Sequence, residues 1–360
     1  MYLRALRQAM EFSGNWVIIY ANTGFLNDMK ILFIGGTGII SSACSQRAVD
    51  EGIELYILNR GESSIRTPPA GARVAKADIR DREAVREALG DMKFDAVVNW
   101  VAYAPEHIEA DLELFRGRTA QYVFISSASV YQKPPARLPV TESTPLYNPF
   151  WQYSRDKIAC EDRLVKAYRE EGFPITIVRP SLTYDRAAAL PLTGRYTTVD
   201  RMRKGKKVIV HGDGTSLWTL TNSRDFAKGF VGLLGNSHAI GEAFHITSDE
   251  VLTWNQIYEI VARAAGTTAQ IVHIPSDVIV KYDQDWGDGL LGDKSHSMIF
   301  DNTKVKRAVP DYVAAVPFSC GIEEVIAWHD ADPARQVVDE RLDALMDRII
   351  ADWERAYGQI

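Results

Sequence analysis

The chain has 360 residues, with 41 Lys and Arg against 47 Asp and Glu, for a formal charge of −6. Hydrophobic residues make up 46%, enough to bury a full core, and the acidic balance disfavours a mainly nucleic-acid-binding protein, which carries a basic face. No apolar run approaches the roughly 20 residues that span a bilayer, and Cys44, Cys160 and Cys320 are too scattered for a metal site or a disulfide framework, so a reducing, cytoplasmic setting is expected.

Residues 1–28 differ in character from the rest of the chain. Their longest apolar run, 16–21, is shorter than a signal-peptide core of about 7–15 residues. The first strand signal, 30–34, comes directly after Met29. Residues 1–28 are therefore read as an N-terminal extension without a catalytic role, with Met29 as a natural start or the extension as a surface arm. Apolar runs then recur at 31–34, 54–58, 73–77, 96–101, 122–125 and 175–178, with helical stretches such as 82–89 and 153–170 between them. Short, nearly continuous apolar strands alternating with helices predict a parallel sheet covered on both faces, a doubly wound α/β fold. After Pro180 the alternation breaks down. The expected division is an extension (1–28), a dinucleotide-binding domain (29–180 and 208–235), a smaller substrate-binding lobe (181–207 and 236–330) and a C-terminal helix (331–360).

The first strand runs into Gly35-Gly-Thr-Gly-Ile-Ile-Ser41. A glycine turn between a strand and a helix N-terminus is the context that suits a pyrophosphate, because free N–H groups and the helix dipole favour an anion there. Gly35 allows the tight turn, Gly38 the close approach, and Ser41 is a small substitute for a third glycine. The second strand ends Asn59-Arg-Gly61 where an acidic residue would hold the ribose 2′-hydroxyl of NAD. An arginine pairs with a 2′-phosphate, so NADP is favoured, while Asn59 leaves NAD open. Asp78, after the third strand, is placed for the adenine or else caps the next helix.

Tyr153 and Lys157 form Y-x-x-x-K at the start of a strong helix, which puts phenol and ammonium on one face. A nearby cation is expected to lower the tyrosine pKa. The fifth strand leads into Ser126-Ser-Ala-Ser-Val-Tyr131, with Ser127 lying 26 residues before Tyr153. A serine at the C-terminal end of a strand faces the ligand crevice.

With these motifs in this order the chain resembles the extended short-chain dehydrogenases/reductases of the NAD-dependent epimerase/dehydratase group, over roughly 29–326. The resemblance rests on Gly35-Gly-Thr-Gly38, Ala77-Asp-Ile79, Ser126–Tyr131, Tyr153 with Lys157, Arg179-Pro180 with Tyr184, and Gly212-Asp-Gly214. It implies a Rossmann-type sheet and hydride transfer at a carbinol or carbonyl carbon. Tyr153 would be general acid/base, Lys157 would hold the nicotinamide ribose, and Ser127 would bond the reacting oxygen, with Ser126 and Ser129 as weaker stand-ins. The cofactor, NADP or NAD, is expected along Gly35, Thr37, Gly38, Ile39, Ile40, Asn59, Arg60, Asp78, Ile79, Val101 and Pro180, together with Tyr153 and Lys157. A homodimer built on the Tyr153 helix is also implied.

The pattern has departures. Ala128-Ser129 stand where the group's dehydratases carry Asp-Glu, which disfavours elimination. Trp218 stands where nucleotide-sugar epimerases place a diphosphate-binding arginine. Trp100, Tyr103, Trp151, Trp218 and Trp286 are candidates for an aromatic crevice or for ordinary core. Tyr103, Ser129, Trp218, Lys294 and His296 are the expected substrate contacts. The basic run Arg201, Arg203, Lys204, Lys206 and Lys207 is read as a solvated face. His107, His211, His238 and His245 are treated as structural, and no metal site is expected. The leading expectation is an NAD(P)-dependent oxidoreductase or epimerase acting on a small molecule, without nucleic-acid or membrane partners. A nucleotide-sugar 4-epimerase with retained NAD is the alternative. A non-catalytic RNA-binding or regulatory protein is a third, since 220–225 is faintly similar to the chloroplast stem-loop-binding proteins.

Overall fold

The computed structural model describes residues 7–12, 15–20, 29–63, 65–187 and 194–357. Parts of the expected extension (1–6, 13–14 and 21–28) and of the expected lobe (188–193) lie outside the described residues. Within the extension, β1 (Arg7–Phe12) and β2 (Asn15–Tyr20) pair antiparallel as a separate two-stranded ribbon.

From Lys30 the chain builds the expected sheet. β3 (Lys30–Ile34), β4 (Glu54–Asn59), β5 (Arg73–Lys76), β6 (Ala96–Asn99), β7 (Tyr122–Ile125) and β8 (Ile175–Pro180) are joined by β13 (Ala243–Ile246) in one seven-stranded sheet of order β13-β8-β7-β6-β3-β4-β5. Every neighbouring pair is parallel. Side chains alternate across a strand, and in β3 this sends Ile31 and Phe33 into one core and Leu32 and Ile34 into another. Helices α1 (Ser41–Asp50) and α6 (Ser223–Val231) cover the first face; α2 (Arg82–Leu89), α3 (Pro105–Phe115) and α4 (Gln152–Glu171) cover the second. The chain runs outward from β3 to β5 and then returns to β6 on the other side of β3. The carboxyl ends of β3 and β6 therefore flank the crevice at which such sheets bind ligands.

The lobe has its own core around Trp218, Trp254 and Phe318. α5 (Tyr196–Arg203) and α7 (Trp254–Ala264) flank three small pairings, β9 (Leu182–Tyr184) with β12 (Leu220–Asn222), β10 (Lys207–His211) with β15 (Gln270–Ile274), and β11 (Leu217–Trp218) with β14 (Leu252–Thr253). Two expected boundaries move. Residues 243–246, assigned above to the lobe, are the seventh strand of the central sheet, whereas Val208, Val210 and Trp218 belong to the lobe core. The terminal helix Glu340–Tyr357 buries Leu345, Met346, Ile349 and Ile350 against Ile209 and Ile274.

Apart from Lys204, the basic run is not a solvated face. Arg201, only 1% exposed, pairs with Asp343 and Asp347, and Lys206 reaches the same two carboxylates. Arg203 pairs with Asp330, Lys204 with Asp200 and Lys207 with Glu354. Arg201, Lys206 and Lys207 thus hold the last helix to the lobe and Arg203 holds the helix ending at Asp330, while Lys204, 62% exposed and paired within α5, stays on a solvated face as expected.

Candidate active site at the sheet's carboxyl edge

The glycine turn is shaped by its backbone. Gly35 and Gly36 have φ of 109° and 85°, and a Cβ on Gly36 would stand 3.0 Å from Ile57 Cγ2. Only glycine adopts both comfortably. Gly35 N–H donates to Leu58 O at 2.9 Å, and Gly38 N–H to Ser41 Oγ at 2.8 Å. Helix α1 follows without a side-chain cap and without an acid in its first turn, a polarity that favours an anion. Trp100 underpins this turn. Its ring packs on Phe33 at 5.7 Å and Phe230 at 4.8 Å, so it is core and not crevice wall.

A cleft of about 610 Å³ opens along the ends of β3, β4, β5 and β6, lined by Gly35, Thr37, Asn59, Arg60, Asp78, Ile79, Val101 and Tyr103 among others. Gly38, Ile39, Ile40, Tyr153, Lys157 and Pro180 lie outside this lining; Ile39 packs toward the lobe core, Ile40 toward the sheet core, and Pro180 pairs with Ile246. Asp78 is not the cap of α2, since Asp81 accepts from Glu83 N and Ala84 N; Asp78 Oδ1 accepts from Arg80 N at 2.9 Å. Asn59 Oδ1 accepts from Gly61 N at 3.0 Å, which leaves its amide group as donor. Arg60 is already paired with Glu62 at 3.0 Å, and Glu62 also lines the cleft. Sequence reasoning missed Glu62; its place two residues after Arg60 was the available signal. The turn, the uncapped helix and the long cleft fit a dinucleotide. They fit a 2′-phosphate less well, because a carboxylate stands beside the arginine.

Tyr103 joins this cleft to Lys157. It is 47% exposed, its N–H donates to His107 Nδ1 at 3.0 Å, and its ring centre lies 4.8 Å from Lys157 Nζ. Lys157 is 2% exposed and donates to Ala102 O at 2.6 Å, in the loop after β6, and to Ile125 O at 2.8 Å, at the end of β7. Burial pulls its pKa down to about 8, with Cys160 and Glu161 acting upward. Lys157 Nζ lies 5.8 Å from the Tyr153 ring centre. Burial pushes the Tyr153 phenol up to about 12, and the hydrogen bond with Ser127 is the influence that lowers it. The expectation that Lys157 depresses the phenol is therefore corrected: desolvation is the largest influence on Tyr153, and the Lys157 ammonium, with two of its protons donated to carbonyls, is not among the groups that lower it.

Ser127 sits at the start of a one-turn helix, Ala128–Val130. Its Oγ lies 2.9 Å from Ser129 Oγ and accepts from Ser129 N at 3.2 Å; Ser154 Oγ donates to Ser129 Oγ at 2.8 Å. Ser129 thus faces two serines, not open space, and orients Ser127. Ser126 is buried with its hydroxyl unpartnered. Trp151 packs on Tyr153 at 4.8 Å and lies beneath Lys294 Nζ at 5.7 Å. Asn148 ties the two parts together, donating to Ser129 O at 2.8 Å and Gly292 O at 2.6 Å.

On the lobe side, the Lys294 carbonyl receives Trp254 Nε1 at 3.2 Å and Ser216 Oγ at 3.3 Å, and lies 3.0 Å from His211 Nε2. His296 is half-buried, and burial followed by Lys133 holds its pKa below the ordinary value. Trp218 is 1% exposed and packs on Trp254 at 5.5 Å. Among the described residues no group of His, Cys, Asp and Glu could hold a metal, and no helix is long and apolar enough to cross a membrane.

An all-parallel sheet with a glycine turn at its first strand, and serine, tyrosine and lysine gathered at its carboxyl edge, defines an extended short-chain dehydrogenase/reductase layout. The family model "NAD dependent epimerase/dehydratase family" matches residues 31–247, and the chain belongs to that family. It is 27% identical over 260 residues to the chloroplast stem-loop binding protein of 41 kDa b of Arabidopsis thaliana, covering 69% of this chain and 66% of that protein. It is 30% identical over 170 residues to UDP-glucose 4-epimerase of Lactobacillus helveticus, covering 42% of this chain and 51% of that enzyme. The chain thus spans about half to two thirds of these relatives' lengths. In fold it is similar to the epimerase Mth375 of Methanothermobacter thermautotrophicus (TM-score 0.71, 17% identity, 88% and 98% of the two chains). It is also similar to the UDP-glucose 4-epimerase of Bifidobacterium longum in complex with NAD+ and UDP (TM-score 0.67, 17% identity, 84% and 99%).

Proposed function

We propose that the protein is a nicotinamide-dinucleotide-dependent enzyme that oxidises or reduces a hydroxyl or keto carbon of a small molecule, of epimerase or reductase type. The observation that carries this reading is the grouping of Ser127, Tyr153 and Lys157, with the Lys157 ammonium 4.8 Å from the ring centre of Tyr103, a residue that lines the cleft beginning at the glycine turn. When bound, the dinucleotide supplies the hydride acceptor or donor. Tyr153 takes the hydroxyl proton or returns it, and Ser127, fixed by Ser129 and Ser154, hydrogen-bonds the reacting oxygen. Lys157 holds the Ala102 and Ile125 carbonyls and keeps its third proton for the cofactor side. Ala128 and Ser129 offer no acid or base for elimination, so dehydration is not part of this reading.

Glu62 beside Arg60 supports NAD over the NADP favoured from sequence. The likeness to the stem-loop binding protein keeps an RNA-binding reading in view, but the basic run that would serve it is paired within the chain. The homodimer expected on α4, the Tyr153 helix, is carried forward as a proposal, and a monomer in sedimentation velocity would remove it.

The direct test is to purify the protein without added cofactor, denature it and identify released nucleotide by mass spectrometry. Stoichiometric NAD supports a retained cofactor and an epimerase. An empty site that then binds NADPH supports a reductase. Failure to bind either dinucleotide overturns the reading.

A further inference from the structure

Lys133 is 1% exposed, and the countercharge beside its ammonium, Asp293 Oδ1, stands 3.4 Å away, a long contact at the limit of a hydrogen bond that leaves further donors unmet. An ammonium carries three donors, and a buried donor left unmade is costly. The Trp218 ring centre lies 5.9 Å from Lys133 Nζ, and the indole N–H of that tryptophan is also buried without a partner. Two unmet donors therefore stand together at the seam between sheet and lobe. Lys294 stands 3.5 Å from the other oxygen of Asp293, and His296 feels the charge of Lys133. Two lysines share one carboxylate, so the cluster carries one net positive charge when both are protonated; burial disfavours the Lys133 ammonium and Asp293 favours it. It also faces the reactive side chains: the Asp293 charge acts on the Tyr153 phenol, and Lys294 lies over Trp151, which packs on Tyr153.

We propose that this cluster is a substrate subsite for a carboxylate, with Lys133 Nζ and Trp218 Nε1 as the donors to its oxygens. Asp293 orients Lys133 and Lys294 and leaves one positive charge unneutralised. Trp218 contributes a single donor and closes the subsite with an apolar face. The inference rests on the proposed reaction for its placing of substrate beside Tyr153, but it concerns binding alone and can fail separately.

The test compares a matched pair of probes, UDP-glucuronate and UDP-glucose, by titration calorimetry on the NAD-loaded protein. Wild type is expected to bind the carboxylated probe at least tenfold more tightly. Lys133→Met should erase that preference while retaining NAD affinity, which reports an intact fold; Lys133→Arg should keep part of it. Tyr153→Phe should leave the preference unchanged. Equal binding of the two probes, no binding of either, or a preference that survives Lys133→Met would overturn the subsite. Wild type that shows the preference but turns over neither probe, or Tyr153→Phe that turns over as fast as wild type, would instead count against the proposed reaction.

Discussion

Arg179 and Glu161 form a buried two-point ion pair, with Nε at 3.0 Å from Oε1 and Nη2 at 2.5 Å from Oε2. Glu161 lies two helical turns beyond Tyr153 and one beyond Lys157, so the pair fixes the rotation of α4 against β8. Removing one partner strands the other charge. Arg179→Met should therefore cost about 3–5 kcal/mol, whereas Arg179→Met with Glu161→Leu should recover most of it. Urea melts of the two variants check this; equal losses in both would show that packing, not charge, holds the helix.

Tyr153→Phe removes the only proton carrier that the proposed reaction places at the reacting oxygen. Turnover should fall by about 10²–10⁴, with dinucleotide affinity unchanged in a fluorescence titration. Ser127→Ala should fall by about 10²–10³. Because Ser129 and Ser154 position Ser127, Ser154→Ala should show a smaller loss in kcat with KM unchanged. Unaltered turnover in Tyr153→Phe would end the assignment.

The sheet was readable because its inner strands are buried on both faces, which leaves unbroken apolar runs that few other structures need, while the edge strand β5 is largely exposed. Seven strands formed where six were expected, because Ala243–Ile246 is short and returns to the sheet after a long excursion through the lobe. Adjacent aromatics show the limit most clearly. Trp100 and Tyr103 are three residues apart, yet one supports the glycine turn from below and the other lines the cleft, and composition is blind to that difference. The partners of Arg201 lie 142 and 146 residues away, so local charge counting could only predict a solvated run. Lys133 carried no signal at all: nothing in its neighbours announces that a lysine will be buried with unmet donors.

The cofactor preference turns on one exposed pair. Arg60 and Glu62 are 62% and 67% exposed, a setting in which an ion pair contributes little, roughly 0.2–1 kcal/mol. Glu62→Gln should thus release Arg60 and improve NADPH relative to NADH by about two- to fivefold. Arg60→Ala should weaken NADPH more than NADH. Parallel equilibrium titrations with both dinucleotides decide the matter, and equal changes for the two would mean that neither side chain reaches the ribose.

Lys157 gives stability a pH signature with a defined sign. Burial lowers its folded pKa from 10.5 to about 8. Between those values the unfolded chain keeps the proton that the folded chain has released, so unfolding takes up a proton. This group therefore makes stability rise with pH across that window, by at most about 1.4 kcal/mol per unit. The contribution is complete above the unfolded value and is lost as the pH falls through about 8. Lys157→Met removes the titrating group while keeping the length of the side chain. Chemical denaturation of wild type and variant from pH 7 to 9.5 should show a difference that is flat at first and then climbs in favour of the wild type. A difference that stays flat throughout would mean that the ammonium, held by the Ala102 and Ile125 carbonyls, keeps its proton well above pH 8 in the folded chain.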